Sequence, residues 1–171
     1  VKTPGSKLFP YLQKNLDDII TVPDEDLIVS FLDMVENHKM IVENSGLLTV
    51  AALKQIKDKD KKIVSILSGG NMDVITMSSV VQHGLIQRGR VFSVSVLLPD
   101  KPGELLKVAK VIADAKGNVI KLEHNQFVSI NRNAAVELKI TLEAFGIDHK
   151  NEIIAALKKA GYDPKSVQTS F

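Results

Sequence analysis

The sequence contains no cysteine. Disulfides, thiolate catalysis and cysteine-ligated zinc are therefore excluded, and nothing argues for an oxidising compartment. Aromatic residues are scarce, at 5% of 171. An excess of one charge sign is also missing: 22 Lys and Arg stand against 20 Asp and Glu, a net charge of +2. Nucleic-acid binding relies on clustered basic residues, so no nucleic-acid partner is expected. No apolar run approaches the ~20 residues that span a bilayer, and no signal-peptide pattern opens the chain. The expectation is a cytoplasmic protein with no membrane contact. Four histidines are present, His38, His83, His124 and His149. No pair has metal-ligand spacing, so no metal site is expected, and solvated or capping roles suit all four. Val1 opens the chain without an initiator Met, a cap or a turn signal, which reads as a piece of something longer.

What is present is globular in composition: 44% hydrophobic and 25% charged, enough for one large or two small domains. The first half alternates strand and helix signals. "DDIITV" (17–22) is a short β-branched run and reads as a strand. Pro23-Asp24 starts a helix with Leu27, Phe31 (or Ile28, Leu32) and Val35 at helical spacing. "SGLLTVAALKQIK" (45–57) repeats that spacing with Leu48, Ala51 or Ala52, and Gln55 or Ile56. "KDKDKK" (57–62) is a solvated loop. "KKIVSIL" (61–67) is nearly continuous, as in a strand covered on both faces of a parallel sheet. A Ser-Gly-Gly-Asn turn follows, then a helix from about Met72 to Arg88. The pattern is α/β.

At "QRGR" (87–90) the character changes. "VFSVSVLLP" alternates, with Phe92, Val94, Val96 and Leu98 on one face and Ser93 and Ser95 on the other, a half-buried strand. Pro102 and Gly103 open a helix with Leu105, Ala109, Ile112 and Ala115 on one stripe and Gly117 as its terminating residue. "NVIKLEHNQF" (118–127) is a second strand. "AAVELKITLEAF" (134–145) is a third, with Val136, Leu138, Ile140 and Leu142 inward. Gly146 breaks it. Asp148 can cap a helix with Ile153, Leu157 and Ala160 inward, Gly161 closes that helix, and "KSVQTSF" reads as an edge strand. The order βαββαβ is the split-βαβ, ferredoxin-like arrangement. Its outward positions, Glu137, Lys139, Thr141 and Glu143, carry no aromatic platform for RNA.

Two turns could carry chemistry. Ser68-Gly69-Gly70-Asn71 joins a strand to a helix, where free N–H groups and the helix dipole attract anions. It matches neither a phosphate-binding P-loop nor a dinucleotide fingerprint. The residues alone leave a ligand site and a plain corner both open. The loop "LLPDKPGELL" (97–106) likewise reads as a close-approach site at Gly103, or as a Pro-Gly helix start with Glu104 complementing the dipole.

Taken in order, "VKTPG", "DDIITVPDEDL", "IVENSG" and "KKIVSILSGGNMD" resemble the C-terminal part of the catalytic domain of threonine ammonia-lyase (threonine dehydratase). "HGLIQRGR" resembles the helix and linker that leave that domain. "VSVLLPDKPGELLKVAKVIADAKGNVIKLEHNQ" and "LEAFGIDHKNEIIAALKKAGY" resemble the ACT regulatory domain of medium-length members. The resemblance implies an α/β remnant of a pyridoxal-phosphate-dependent, tryptophan synthase β-like domain over 1–88. An α+β ferredoxin-like βαββαβ ACT domain follows over 89–171.

It further implies that Ser68 bonds the pyridine nitrogen of the cofactor while Gly69 and Gly70 let the ring lie close. Glu43 matches an acidic residue near the active site, although Asn44-Ser45 depart from the small residues usual after it. The family's Schiff-base lysine segment and glycine-rich phosphate loop do not occur, and Lys7 in "GSKLF" lies where the family has no catalytic lysine. The chain by itself is therefore expected to be inactive and to hold no cofactor. The resemblance places an amino-acid effector, isoleucine or valine, against Asp100, Lys101, Pro102, Gly103, Glu104 and Leu105, with Asn118 opposite. It also implies a homo-oligomer formed through the ACT sheets, in isoleucine biosynthesis or threonine catabolism. The alternative is a free-standing amino-acid-binding module with no catalytic partner. An exposed edge or apolar surface is expected in residues 1–90.

Overall fold

The computed structural model describes residues 5–57, 60–125 and 136–169. The ends of three expected strands (126–127, 134–135 and 170–171), part of the 57–62 loop and the opening "VKTP" lie outside the described residues. The chain divides into two compact units between Met72 and Asp73. The sequence boundary at 88/89 differs from this division by one helix. Among the described residues no helix is long and apolar enough to cross a membrane.

The first unit begins with α1 (Phe9–Asn15), which buries none of its residues. Then comes α2 (Asp24–Asp33), started at Pro23 and carrying Asp24, Glu25 and Asp26 in its first turn. Three carboxylates there suit the positive end of the helix dipole. A π-turn (Met34–His38) extends α2 and ends at Lys39 in left-handed conformation. α3 (Asn44–Ala51) runs into a short 3₁₀ turn (Ala52–Gln55) and packs on α2. Leu27, Phe31, Leu32, Met34, Val42, Leu47 and Ala51 are buried.

Neither strand expected in this unit forms. Residues 17–22 and 61–67 belong to no ladder among the described residues, and Val64 is 89% exposed. A strand is held by its neighbours' hydrogen bonds, and among the described residues neither segment has a neighbouring strand. In α3 the inward residue is Leu47; Leu48, the expected one, is exposed.

The second unit starts with α4 (Val74–Gln87), capped by Asp73, whose carboxylate accepts from the N–H groups of Ile75 and Thr76 at 3.0 and 2.9 Å. Four strands follow with two helices between them: β1 (Val91–Leu98), α5 (Glu104–Asp114), β2 (Asn118–Asn125), β3 (Val136–Glu143), α6 (Ile147–Lys159) and β4 (Lys165–Val167). The sheet is antiparallel in the order β2-β3-β1-β4. Phe92, Val94, Val96 and Leu98 of β1 and Leu138, Ile140 and Leu142 of β3 form one core with Val108 and Ile112 of α5 and Ile153 and Leu157 of α6.

Several local expectations change. β1 is buried on both faces, because Ser93 and Ser95 are short and stand between taller neighbours. The Ser93 hydroxyl meets that of Thr141 at 2.9 Å, and Ser95 donates to Glu137. The buried stripe of α5 is Val108 and Ile112, so Leu105 faces out. The left-handed residue that ends α5 is Lys116, φ 61°, and the Gly117 N–H donates to the Ile112 carbonyl at 2.9 Å. Gly117 is required for space: a Cβ there would lie 2.9 Å from Ile112 Cγ2 and 3.0 Å from Ile153 Cδ1. Gly146, not Asp148, occupies the cap position of α6, and Ala160 is exposed.

Candidate functional site

In the first unit the structure gathers Glu43 and the 68–71 turn. Ser45 donates to Glu43 Oε1 at 2.6 Å, and the Asn71 N–H donates to Oε2 at 3.2 Å. The Glu43 N–H in turn donates to the Gly69 carbonyl at 3.2 Å. Gly69 has φ +82°, and a Cβ on it would stand 2.3 Å from Glu43 Oε1. Gly46 lets the Ser68 carbonyl reach α3: a Cβ there would be 1.7 Å from that oxygen. Thr49 continues the seam by donating to the Ile66 carbonyl at 2.9 Å. Glu43 therefore acts here as a clamp that fixes the turn through its own backbone and carboxylate. Ser68 and Gly70 remain exposed beside it. The sequence reading singled out Glu43 and the turn separately but missed Gly46, whose signal was a glycine inside a helical pattern. It also treated Asn44-Ser45 only as a departure, whereas Ser45 holds the carboxylate.

In the second unit the loop 100–105 and Asn118 are not brought together. Asp100, Lys101, Pro102, Gly103 and Leu105 are exposed around the start of α5, where Gly103 takes φ +91° at the cap. Glu104 is tied to Lys107 at 2.7 Å, and that bond, with the attraction of the carboxylate, raises the lysine's pKa above its ordinary value. Asn118 donates to Glu143 at 3.2 Å, and Glu143 pairs with Val91. The loop follows Leu98, so the two halves lie at opposite ends of β1, about 23 Å apart along the strand.

His149 was expected to be solvated or capping. It accepts the Phe145 N–H on Nδ1 at 3.1 Å, and Nε2 lies 2.7 Å from the Ala115 carbonyl. The first bond leaves the ring hydrogen on Nε2, which donates to Ala115 and ties the end of α5 to the start of α6. The ring also stacks on Phe145 at 4.8 Å.

Comparison with known proteins finds sequence similarity to ammonia-lyases. More particularly, the chain is a homologue of part of the threonine ammonia-lyases. It is 36% identical to the L-threonine ammonia-lyase of Geobacter sulfurreducens over 95% of this chain and 41% of that protein. It is 29% identical to the L-threonine ammonia-lyase of Thermotoga maritima over 98% of this chain and 42% of the relative. A biosynthetic L-threonine dehydratase from Haemophilus influenzae is 30% identical over 95% of this chain and 31% of its own length. The chain thus spans less than half the length of these curated relatives. No protein-family model matches it. The prephenate dehydratase structure from Streptococcus mutans overlaps 44% of this chain and 40% of its own, at TM-score 0.38 and 22% identity, too slight to bear on fold or function.

Proposed function

We propose that the chain is the C-terminal part of a pyridoxal-phosphate-dependent threonine ammonia-lyase, which converts threonine to 2-oxobutanoate and ammonia. In this reading the first unit belongs to the catalytic domain and the βαββαβ unit is a ferredoxin-like ACT domain that senses an amino acid. The observation that carries it is the Glu43-clamped Ser68-Gly69-Gly70-Asn71 turn in a chain 36% identical to such an enzyme. The residues present fit one edge of the cofactor: an exposed Ser68 hydroxyl can bond a pyridine nitrogen, and Gly69 and Gly70 leave room beside it. When bound, the cofactor supplies the electron sink for loss of the β-hydroxyl. This chain's share is to hold the turn still, through Glu43, Ser45 and Gly46. With no family lysine or phosphate loop, the chain alone does not deaminate threonine. The loop 100–105 takes the effector, isoleucine or valine, in a cytoplasmic homo-oligomer.

A thermal melt with and without saturating isoleucine tests the sensor, with valine, threonine and AMP as comparisons. A ligand that binds only the folded state adds about 2.7 kcal/mol at a hundred times its dissociation constant. A rise in midpoint with isoleucine or valine alone is the expected result. No rise with either removes amino-acid sensing from this chain.

A further inference from the structure

We propose that the first turn of α6 is a joint that couples the C-terminal ends of α5 and α4, with His149 as the pin that closes it. Both helices end against the segment 144–149. On one side stands α5. His149 Nε2–H donates at 2.7 Å to the carbonyl of Ala115, the residue at the C-cap of that helix. The Phe145 N–H holds the ring from the other side, at 3.1 Å on Nδ1. Phe145 is 82% exposed, yet its ring lies on the imidazole at 17° from parallel. That stacking covers one face of the imidazole and fixes its plane between the two hydrogen bonds.

On the other side stands the end of α4. Its last bonds run from the Gly89 N–H to the Ile86 carbonyl at 2.9 Å and from the Arg90 N–H to the Leu85 carbonyl at 2.8 Å. The Arg90 carbonyl then accepts the Ala144 N–H at 2.8 Å. Gly89 is buried, with φ +65°, and a Cβ on it would stand 3.0 Å from Ile147 Cα and 3.1 Å from Ile147 N. Glycine allows this approach of backbone to backbone. No flexible side chain lies between to absorb a shift, so movement of the first turn of α6 is felt at the end of α4. The joint bears on regulation through the far end of α5. That helix has eleven residues and starts at the 100–105 loop. Giving that loop an effector rests on the function proposed above; the joint itself does not. A ligand that shifts or stiffens the start of α5 moves its end, and His149 passes the change to α4. Continuous contact supplies the route, and the coupling along it is a free energy to be measured.

Amide hydrogen exchange on the whole chain tests the joint, with two variants that divide the roles of His149. His149→Asn keeps an acceptor for the Phe145 N–H and loses the reach to Ala115. His149→Gln keeps a donor at that reach and loses the acceptor. Rates are taken relative to the amides of β1 and β3, which report global unfolding. In His149→Asn the amides of Lys116 and Gly117, at the end of α5, should exchange about fivefold faster, the size of one lost hydrogen bond. Those of Gly89, Arg90 and Ala144 should accelerate with them. His149→Gln should leave Gly89, Arg90 and Ala144 close to wild type. Acceleration confined to Lys116 and Gly117, or two variants that behave alike, overturns the proposal. Saturating isoleucine or valine should slow exchange at Gly89, Arg90 and Ala144 in the wild type but not in His149→Asn. A ligand that raises the thermal midpoint without touching those amides removes the regulatory role. If neither ligand raises the midpoint, the sensing reading fails, and the ligand-free comparison still decides the joint.

Discussion

Residues 63–67 and 91–98 are both short apolar runs interrupted by serine, "IVSIL" and "VFSVSVLL". Their fates differ. Ile63, Val64 and Ile66 are 46, 89 and 72% exposed, whereas Val94 and Val96 are fully buried. β1 has β3 on one side and β4 on the other, along with two helices over its apolar face. The 61–67 segment meets α3 where Thr49 donates to the Ile66 carbonyl, and no strand lies beside it among the described residues. An apolar β-branched run favours an extended backbone, but burial comes from what is laid beside it.

The sharpest test of that contrast removes the same kind of contact from both regions. Leu138→Ala empties a fully buried position and should cost about 2–5 kcal/mol in denaturant unfolding. Val64→Ala should stay within about 0.5 kcal/mol, because the side chain already stands in water. A large loss at Val64 would mean that the segment is covered in solution.

Two glycines sharpen the comparison at the turns. Gly46→Ala drives a methyl into the Ser68 carbonyl and should destabilise the first unit by about 1–3 kcal/mol or displace the 68–71 turn. Gly103→Ala meets open space and should cost about 1 kcal/mol, from its left-handed backbone alone. Backbone chemical shifts at Asn71 and Lys101 would separate displacement from simple loss of stability.

The smallest effect concerns Asp73. Hydrogen bonds from the Thr76 hydroxyl and N–H hold its carboxyl below the ordinary value of 3.8. A depressed folded pKa contributes stability that is complete above the unfolded value and fades as pH falls through the folded one. Asp73→Asn should therefore lose part of that contribution at neutral pH and flatten the acid limb of stability below about pH 4. An unaltered acid limb in melts from pH 2 to 6 would remove Asp73 from the account.

The second unit was the more legible in sequence because period-2 alternation in 91–98 and 136–143 states both strand and face. The rotation of α3 and α5 was not, since the adjacent leucines Leu47-Leu48 and Leu105-Leu106 satisfy a helical stripe in two phases. Packing against α2 and against the sheet decided the phase. The strands at 17–22 and 61–67 were misread because a local pattern carries no information about a missing neighbour. At the site, Glu43 and the 68–71 turn were each singled out in the sequence, but their contact, and the roles of Gly46 and Ser45, lay in atomic distances that no spacing rule encodes. His149 was legible as a capping residue but not as a tie across to α5, which needs a contact 34 positions away.

The separation of Asn118 from the 100–105 loop by the length of β1 has a quantitative consequence. If the effector needs both halves, they could meet only between copies, and occupancy would depend on how many copies meet as well as on how much ligand is present. Dilution would silence such a sensor even in saturating ligand, and the midpoint of its dose response would drift with protein concentration.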